Sequence, residues 1–201
     1  MTWEGKLNVG CRIDHPPGRL DSVVLGISGS PRRDGNTDIA VKMVLDELRG
    51  TGLRTDFLRI ADLRIERCRG CRACMQTGEC AIEDDDLNLA LERMNCASLI
   101  VLGIPVYWNS PPGVFKDFID RTHGFYLNRS YFAGRKFAIL SVAADSGFEN
   151  NEEILESWLR AYSGEVVDKV RVLAREKGEI LSRPNEVKKV RELAFRLRGE
   201  I

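Results

Sequence analysis

Five strand-like runs punctuate this chain, the first and third of them continuously apolar, each followed by residues with the spacing of an amphipathic helix. The first, Val23-Val24-Leu25-Gly26-Ile27, is apolar or glycine at every step and closes on Ser and Gly. A strand with one wet face alternates, whereas one buried on both faces does not, so this run reads as a buried parallel strand. Residues 36–48 follow, with Ile39, Met43, Val44 and Leu48 at helical spacing. The pattern repeats as strand 55–60, helix 84–95, strand 98–104, helix 113–123, strand 136–142, helix 149–162, strand 166–173 and helix 185–198. Asp84, Asp85 and Asp86 read as the first turn of their helix, where acids suit the positive end of the dipole. Such alternation predicts a doubly wound α/β domain, with parallel strands and helices on both faces.

A chain of 201 residues suggests one domain. Residues 1–20 carry Gly5, Gly10, Pro16, Pro17 and Gly18 without periodicity and read as an N-terminal extension; residues 21–201 form the domain. Lys plus Arg and Asp plus Glu are each 30, so the formal charge is zero. That balance argues against a nucleic-acid binder, which needs a basic surplus. No apolar run reaches the roughly 18 residues of a membrane span, and the first ten residues lack the order of a signal peptide. The expected location is the cytoplasm. With only His15 and His123, mechanisms built on several histidines are disfavoured, and no side chain is assigned a catalytic role.

In open parallel sheets, ligands bind beyond the carboxyl ends of the strands. The loop after the first strand offers hydroxyls at Ser28, Ser30 and Thr37, the Asn36 amide and the Arg32 guanidinium. The helix behind it adds free N–H groups and a positive end, so the loop reads as a phosphate cradle. It has neither the Walker nor the dinucleotide glycine pattern. The loop after the third strand, Pro105-Val106-Tyr107-Trp108-Asn109-Ser110, sets two aromatics side by side, and neighbours on a loop cannot both point inward. A flat ligand could lie there. Ordinary turn chemistry is the alternative reading of each of these two loops taken alone. The loop after the fourth strand, with Asp145, Ser146 and Gly147, is a weaker signal. A phosphate cradle and an aromatic shelf together suit a mononucleotide with a planar head. The flavodoxin-like strand order 2-1-3-4-5 brings these loops together where FMN binds.

On these residues the chain resembles the NAD(P)H-dependent FMN reductase superfamily. Gly29-Ser30-Pro31-Arg32 and Gly35-Asn36-Thr37 resemble its phosphate loop, and Pro105-Val106-Tyr107-Trp108 with Phe118-Ile119-Asp120-Arg121 its second motif. The resemblance implies a flavodoxin-like fold and bound FMN. Ser28, Ser30, Arg32, Asn36 and Thr37 would hold the phosphate, and Pro105, Val106, Tyr107 and Trp108 would line the isoalloxazine. Members often show paired glycines where this chain has Ala144 and Asp145.

Cys68, Cys71, Cys74 and Cys80 fall within thirteen residues, as an insertion after the second strand. In a reducing cytosol such a cluster reads as a metal or redox site. Spacings of two let thiolates converge, and Gly70 and Gly78 permit tight turns. Four thiolates complete the ligand set of one 4Fe–4S cluster. Four-thiolate zinc and redox-active or structural thiols are alternatives. Arg64, Arg67, Arg69 and Arg72 would offset cluster charge, or simply be a solvated face. The remaining cysteines, Cys11 and Cys96, read as a bystander and as buried packing.

The compact spacing resembles the iron–sulfur flavoproteins, a branch of the same superfamily. That resemblance implies a homodimer or homotetramer passing electrons between cluster and FMN, with ferredoxin among the candidate redox partners. Phe125-Tyr126 and Tyr131-Phe132 are candidates for interface or core. An NAD(P)H-dependent FMN or quinone reductase without a cluster stays open, with NAD(P)H as substrate. So does a flavodoxin-like module with structural zinc.

Overall fold

A computed structural model describes residues 23–201. The expected extension 1–20 and Cys11 lie outside the described residues. The sheet has five parallel strands in the order β2-β1-β3-β4-β5, the flavodoxin-like order expected. The strands are β1 (Val23–Ser28), β2 (Arg54–Arg59), β3 (Leu99–Pro105), β4 (Lys136–Ala143) and β5 (Glu165–Leu173). The helices are α1 (Asn36–Arg49), α2 (Cys74–Thr77), α3 (Leu87–Cys96), α4 (Gly113–Arg121), α5 (Phe148–Ala161) and α6 (Pro184–Leu197).

Side chains alternate across each strand, so β1 and β3 feed two cores. Leu25, Ile27, Ile100, Leu102 and Ile104 join Phe115 and Phe118 of α4 and Leu155 and Trp158 of α5 on one face. Val24, Leu99 and Val101 join Val41, Leu45, Val190 and Leu193 of α1 and α6 on the other. This double burial explains the unbroken apolar runs. Two glycines let α1 approach closely. A methyl at Gly26 would lie 2.5 Å from Val41 Cγ1, and one at Gly103 would run into Val41 Cγ2. The start of α1 is thereby seated over the carboxyl edge of β1 and β3.

Several expectations change at element ends. Asp84, Asp85 and Asp86 precede α3, which begins at Leu87. Asp85 Oδ1 accepts the first N–H of α3, that of Leu87, at 3.2 Å, while Arg64 N–H donates to Asp86 Oδ2 at 2.7 Å and Glu66 N–H to Asp85 Oδ2 at 3.0 Å. The helix expected to reach residue 123 stops at Arg121 and tightens into a 3-10 turn, Thr122–Leu127. There the Thr122 hydroxyl donates to Ile119 O at 2.7 Å and accepts from Trp158 Nε1 at 2.9 Å. Of the aromatics held open between interface and core, Phe132 is fully buried. Phe125 stacks on Tyr131 at 3.5 Å between ring centroids, and both pack against the core. Tyr126 is exposed. Cys96, expected to be buried, is half-buried at the end of α3. Among the described residues, no helix is long and apolar enough to cross a membrane.

Candidate functional site

Three loops gather at the carboxyl edge of β1, β3 and β4. Gly29 N–H donates to Gly103 O at 2.9 Å, and Val106 N–H to Val142 O at 2.8 Å, so the loops after β1 and β3 leave their strands bonded to the neighbouring one.

The first loop is organised from below by a pair of charges that local sequence patterns do not disclose. Asp38, in the first turn of α1, is fully buried. It accepts the Ser28 hydroxyl at 2.5 Å and Asp34 N–H at 2.8 Å. Arg59, at the end of β2, brings Nε within 2.8 Å of Asp38 Oδ2, and its Nη2 donates to Ser30 O at 3.2 Å. A buried carboxylate here would repel any anion brought to the loop, and Arg59 supplies the neutralising charge.

The five residues expected to hold a phosphate are together in the fold but differently employed. The Ser28 hydroxyl faces inward to Asp38. The Ser30 hydroxyl closes the loop on Arg32 N–H at 3.1 Å. Asn36 donates to Glu176 O at 2.8 Å and accepts Ile180 N–H at 3.2 Å, tying α1 to the turn beyond β5. Thr37 is buried in the first turn of α1. Arg32 is exposed, with Nη1 on Arg175 O at 3.3 Å. Gly35 precedes α1 and no side chain caps it. The outward donors are therefore Arg32 and the N-terminal N–H groups of α1, which have no carbonyl partner within the helix.

The second loop makes a tight turn. Tyr107 N–H donates to Ser110 O at 2.9 Å and Ser110 N–H to Tyr107 O at 3.1 Å. The two residues between, Trp108 and Asn109, both sit in the left-handed region, with φ of +52° and +61°. That conformation is uncommon for a bulky residue, and it turns Trp108 outward. Trp108 is 99% exposed and Tyr107 37%, whereas Pro105 is buried and Val106 half-buried. The third loop meets the second at Gly147, whose φ is +88° and where any side chain would collide with Asn109 Oδ1. Asp145 and Ser146 are exposed; the Ser146 hydroxyl donates to Asp145 Oδ1 at 3.2 Å. Arg175, which also meets Arg32, lies 3.8 Å from Asp145. All the expected cofactor residues thus border one edge.

The cysteine segment lies between β2 and α3, which are joined by a 3-10 turn, Ile60–Asp62, and the single turn of α2. All four cysteines are free thiols; Cys68 and Cys71 are exposed, Cys74 and Cys80 half-buried. The segment sits on the Thr122–Leu127 turn, where a side chain at Gly124 would strike Gly78 O and approach Cys74. Burial pushes the Cys74 thiol up, and the charges of Cys80, Cys68 and Cys71 push it further. Among the described residues, no three His, Cys, Asp or Glu side chains surround one point as for a single ion. Four neighbouring free thiols are the donor set of a cluster in which each thiolate binds its own iron.

The arginines of this segment are partly engaged elsewhere. Arg64 pairs with Asp84 at 3.2 Å and Arg67 with Asp117 at 3.7 Å. The guanidinium that does reach sulfur is Arg121, with Nε on Cys80 Sγ at 3.1 Å. Its partner is Asp85, with Nη1 on Oδ2 at 2.5 Å. Burial pushes the Asp85 carboxyl up, but bonds from Arg121, Glu66 N–H and Leu87 N–H outweigh it and hold the carboxyl below its usual range. The only sequence signal for this residue is the Asp120-Arg121 step within the second motif.

The family profile described as NADPH-dependent FMN reductase matches residues 23–178, which include all three loops and the cysteine segment. This chain belongs to that family. An iron–sulfur flavoprotein of Methanocaldococcus jannaschii is 39% identical over 108 residues, 52% of this chain and 55% of that protein. An iron–sulfur flavoprotein of Methanosarcina thermophila is 31% identical over 148 residues, 72% of this chain and 76% of that protein. The match thus spans about half the first relative and three quarters of the second, and places the chain in the iron–sulfur flavoprotein branch. An NAD(P)H:quinone oxidoreductase from Methanothermobacter marburgensis shares the fold, with a TM-score of 0.67 at 16% identity, over 88% of this chain and 99% of that one.

Proposed function

We propose that this family member is a flavin-dependent oxidoreductase. It binds FMN at the three-loop edge, carries a 4Fe–4S cluster on Cys68, Cys71, Cys74 and Cys80, and reduces a small-molecule or protein acceptor. The observation that carries this reading is that one helix, α4, joins the two sites. The loop 105–112 leads into its start, and Arg121 at its end holds the cysteine segment. When bound, FMN can exchange one electron or two and the cluster one at a time, so the cofactors supply the redox chemistry.

The chain's own residues bind and orient. Arg32 and the N-terminal N–H groups of α1 face the phosphate, with Ser28, Ser30, Asn36 and Thr37 shaping the cradle. Pro105, Val106, Tyr107, Trp108 and Asn109 border the ring, and Asp145, Ser146 and Gly147 close its far side. No side-chain acid or base is assigned. A homodimer or homotetramer fits the exposed Trp108, Tyr107, Tyr126 and Leu127, apolar surface that a second copy can cover. A ferredoxin-type carrier is one class of redox partner, and the setting is cytoplasmic.

A second reading is an NAD(P)H-dependent FMN or quinone reductase whose thiols hold no cluster, favoured by the description of the matching family. Serine at each of the four cysteines separates the two. Under the first reading each variant, purified without oxygen, loses iron and keeps FMN. If the unaltered protein holds FMN but no iron, and NAD(P)H alone bleaches the flavin, the second reading stands.

A further inference from the structure

Arg121 is the last residue of α4, and its side chain is wholly enclosed. Its donors all end on the cysteine segment and its flank. Nε reaches Cys80 Sγ at 3.1 Å. Nη1 reaches Glu66 O at 2.8 Å and Asp85 Oδ2 at 2.5 Å. Nη2 reaches Ile82 O at 3.0 Å and Asp85 Oδ1 at 3.3 Å. A guanidinium has five N–H donors in a rigid fork, and here each has an acceptor. Asp85 balances the charge and two carbonyls fix the plane, so Nε is held pointing at sulfur. An arginine needed only to neutralise Asp85 would not require that third contact.

We propose that Arg121 is the positioning residue of the iron–sulfur centre: it fixes Cys80 for ligation and, through its N–H···S bond, raises the centre's reduction potential. This rests on the cluster reading above. Hydrogen bonds to ligand sulfurs stabilise the more negative, reduced state, so they move the potential upward. Partners that orient a metal ligand typically matter 10- to 100-fold for metal affinity. Because Arg121 and the loop 105–112 lie at opposite ends of α4, the same side chain fixes the centre to the flavin-binding domain.

The test uses full-length protein prepared without oxygen. Arg121→Gln removes the fork but leaves Asp85 buried alone. The paired change Arg121→Gln with Asp85→Asn removes both charges and guards against a folding defect. Both should keep FMN, release iron to a chelator about 10-fold faster or more, and show a lower potential in the iron that remains. Arg121→Lys, which keeps charge without the fork, should recover only part of either effect. Unchanged iron release and potential in FMN-replete variants would overturn the proposal, and so would joint loss of FMN and iron in all of them. An unaltered protein without iron would instead overturn the reading beneath it.

Discussion

Arg59 and Asp38 lie 21 positions apart, yet together they support the loop after β1. Replacing Arg59 by Met leaves a buried carboxylate without its counter-charge, an arrangement that costs about 3–5 kcal/mol. Urea unfolding should register that loss. Because the damage falls on the loop proposed to hold the phosphate, FMN affinity should drop more than riboflavin affinity; an equal drop would count against the loop's assignment. Glu179 acts on the same edge from the far side. It accepts Glu176 N–H at 2.8 Å, Arg175 N–H at 2.6 Å and the Arg183 guanidinium at 2.9 Å. These bonds lower its carboxyl to about 2. In the unfolded chain a glutamate titrates near about 4.3. The stabilisation is therefore full above that value and is lost as pH falls toward about 2. Wild type should unfold later than Glu179→Gln at pH near ~6, with the gap narrowing below pH about 4; a gap independent of pH would contradict this.

At the scale of elements, α1 is placed by absence of side chains. Gly103→Ala would drive a methyl into Val41 and lift the helix start from the sheet. Overpacking of this kind costs roughly 1–3 kcal/mol, measurable as a lower thermal midpoint with weaker FMN binding. Wild-type FMN affinity in a destabilised Gly103→Ala protein would show that the seat of α1 does not govern the cradle. The strands and long helices were legible because β1 and β3 are buried on both faces and α1 keeps a helical apolar stripe. The helix expected from Asp84 begins three residues later, at Leu87, for a definite reason. Acids before an apolar stripe look like a helix start, but here they accept bonds from Arg64, Glu66 and Arg121, contacts that span 19 to 36 positions. The left-handed conformation of Trp108 was equally hidden, since a bulky aromatic does not favour it as glycine or Asn109 does.

Over the whole molecule, strand order and loop positions followed from local pattern and the topology of parallel sheets. The candidate residues were legible as a set because the sheet gathers its carboxyl ends. Their individual roles were not, because Ser28 and Asn36 are turned inward by Asp38 and by the 176–180 turn, partners that only the fold supplies. The cysteine segment was the clearest feature of the sequence, yet Arg121 lies 41 positions from the Cys80 it touches. What joins these parts is the claim that one chain carries two redox centres. The direct test is iron, sulfide and flavin per chain on protein purified without oxygen, with its visible spectrum. The account predicts about four iron and four sulfide, one cluster's complement, beside one FMN. One FMN with no iron, or one zinc per chain and no flavin, would contradict it.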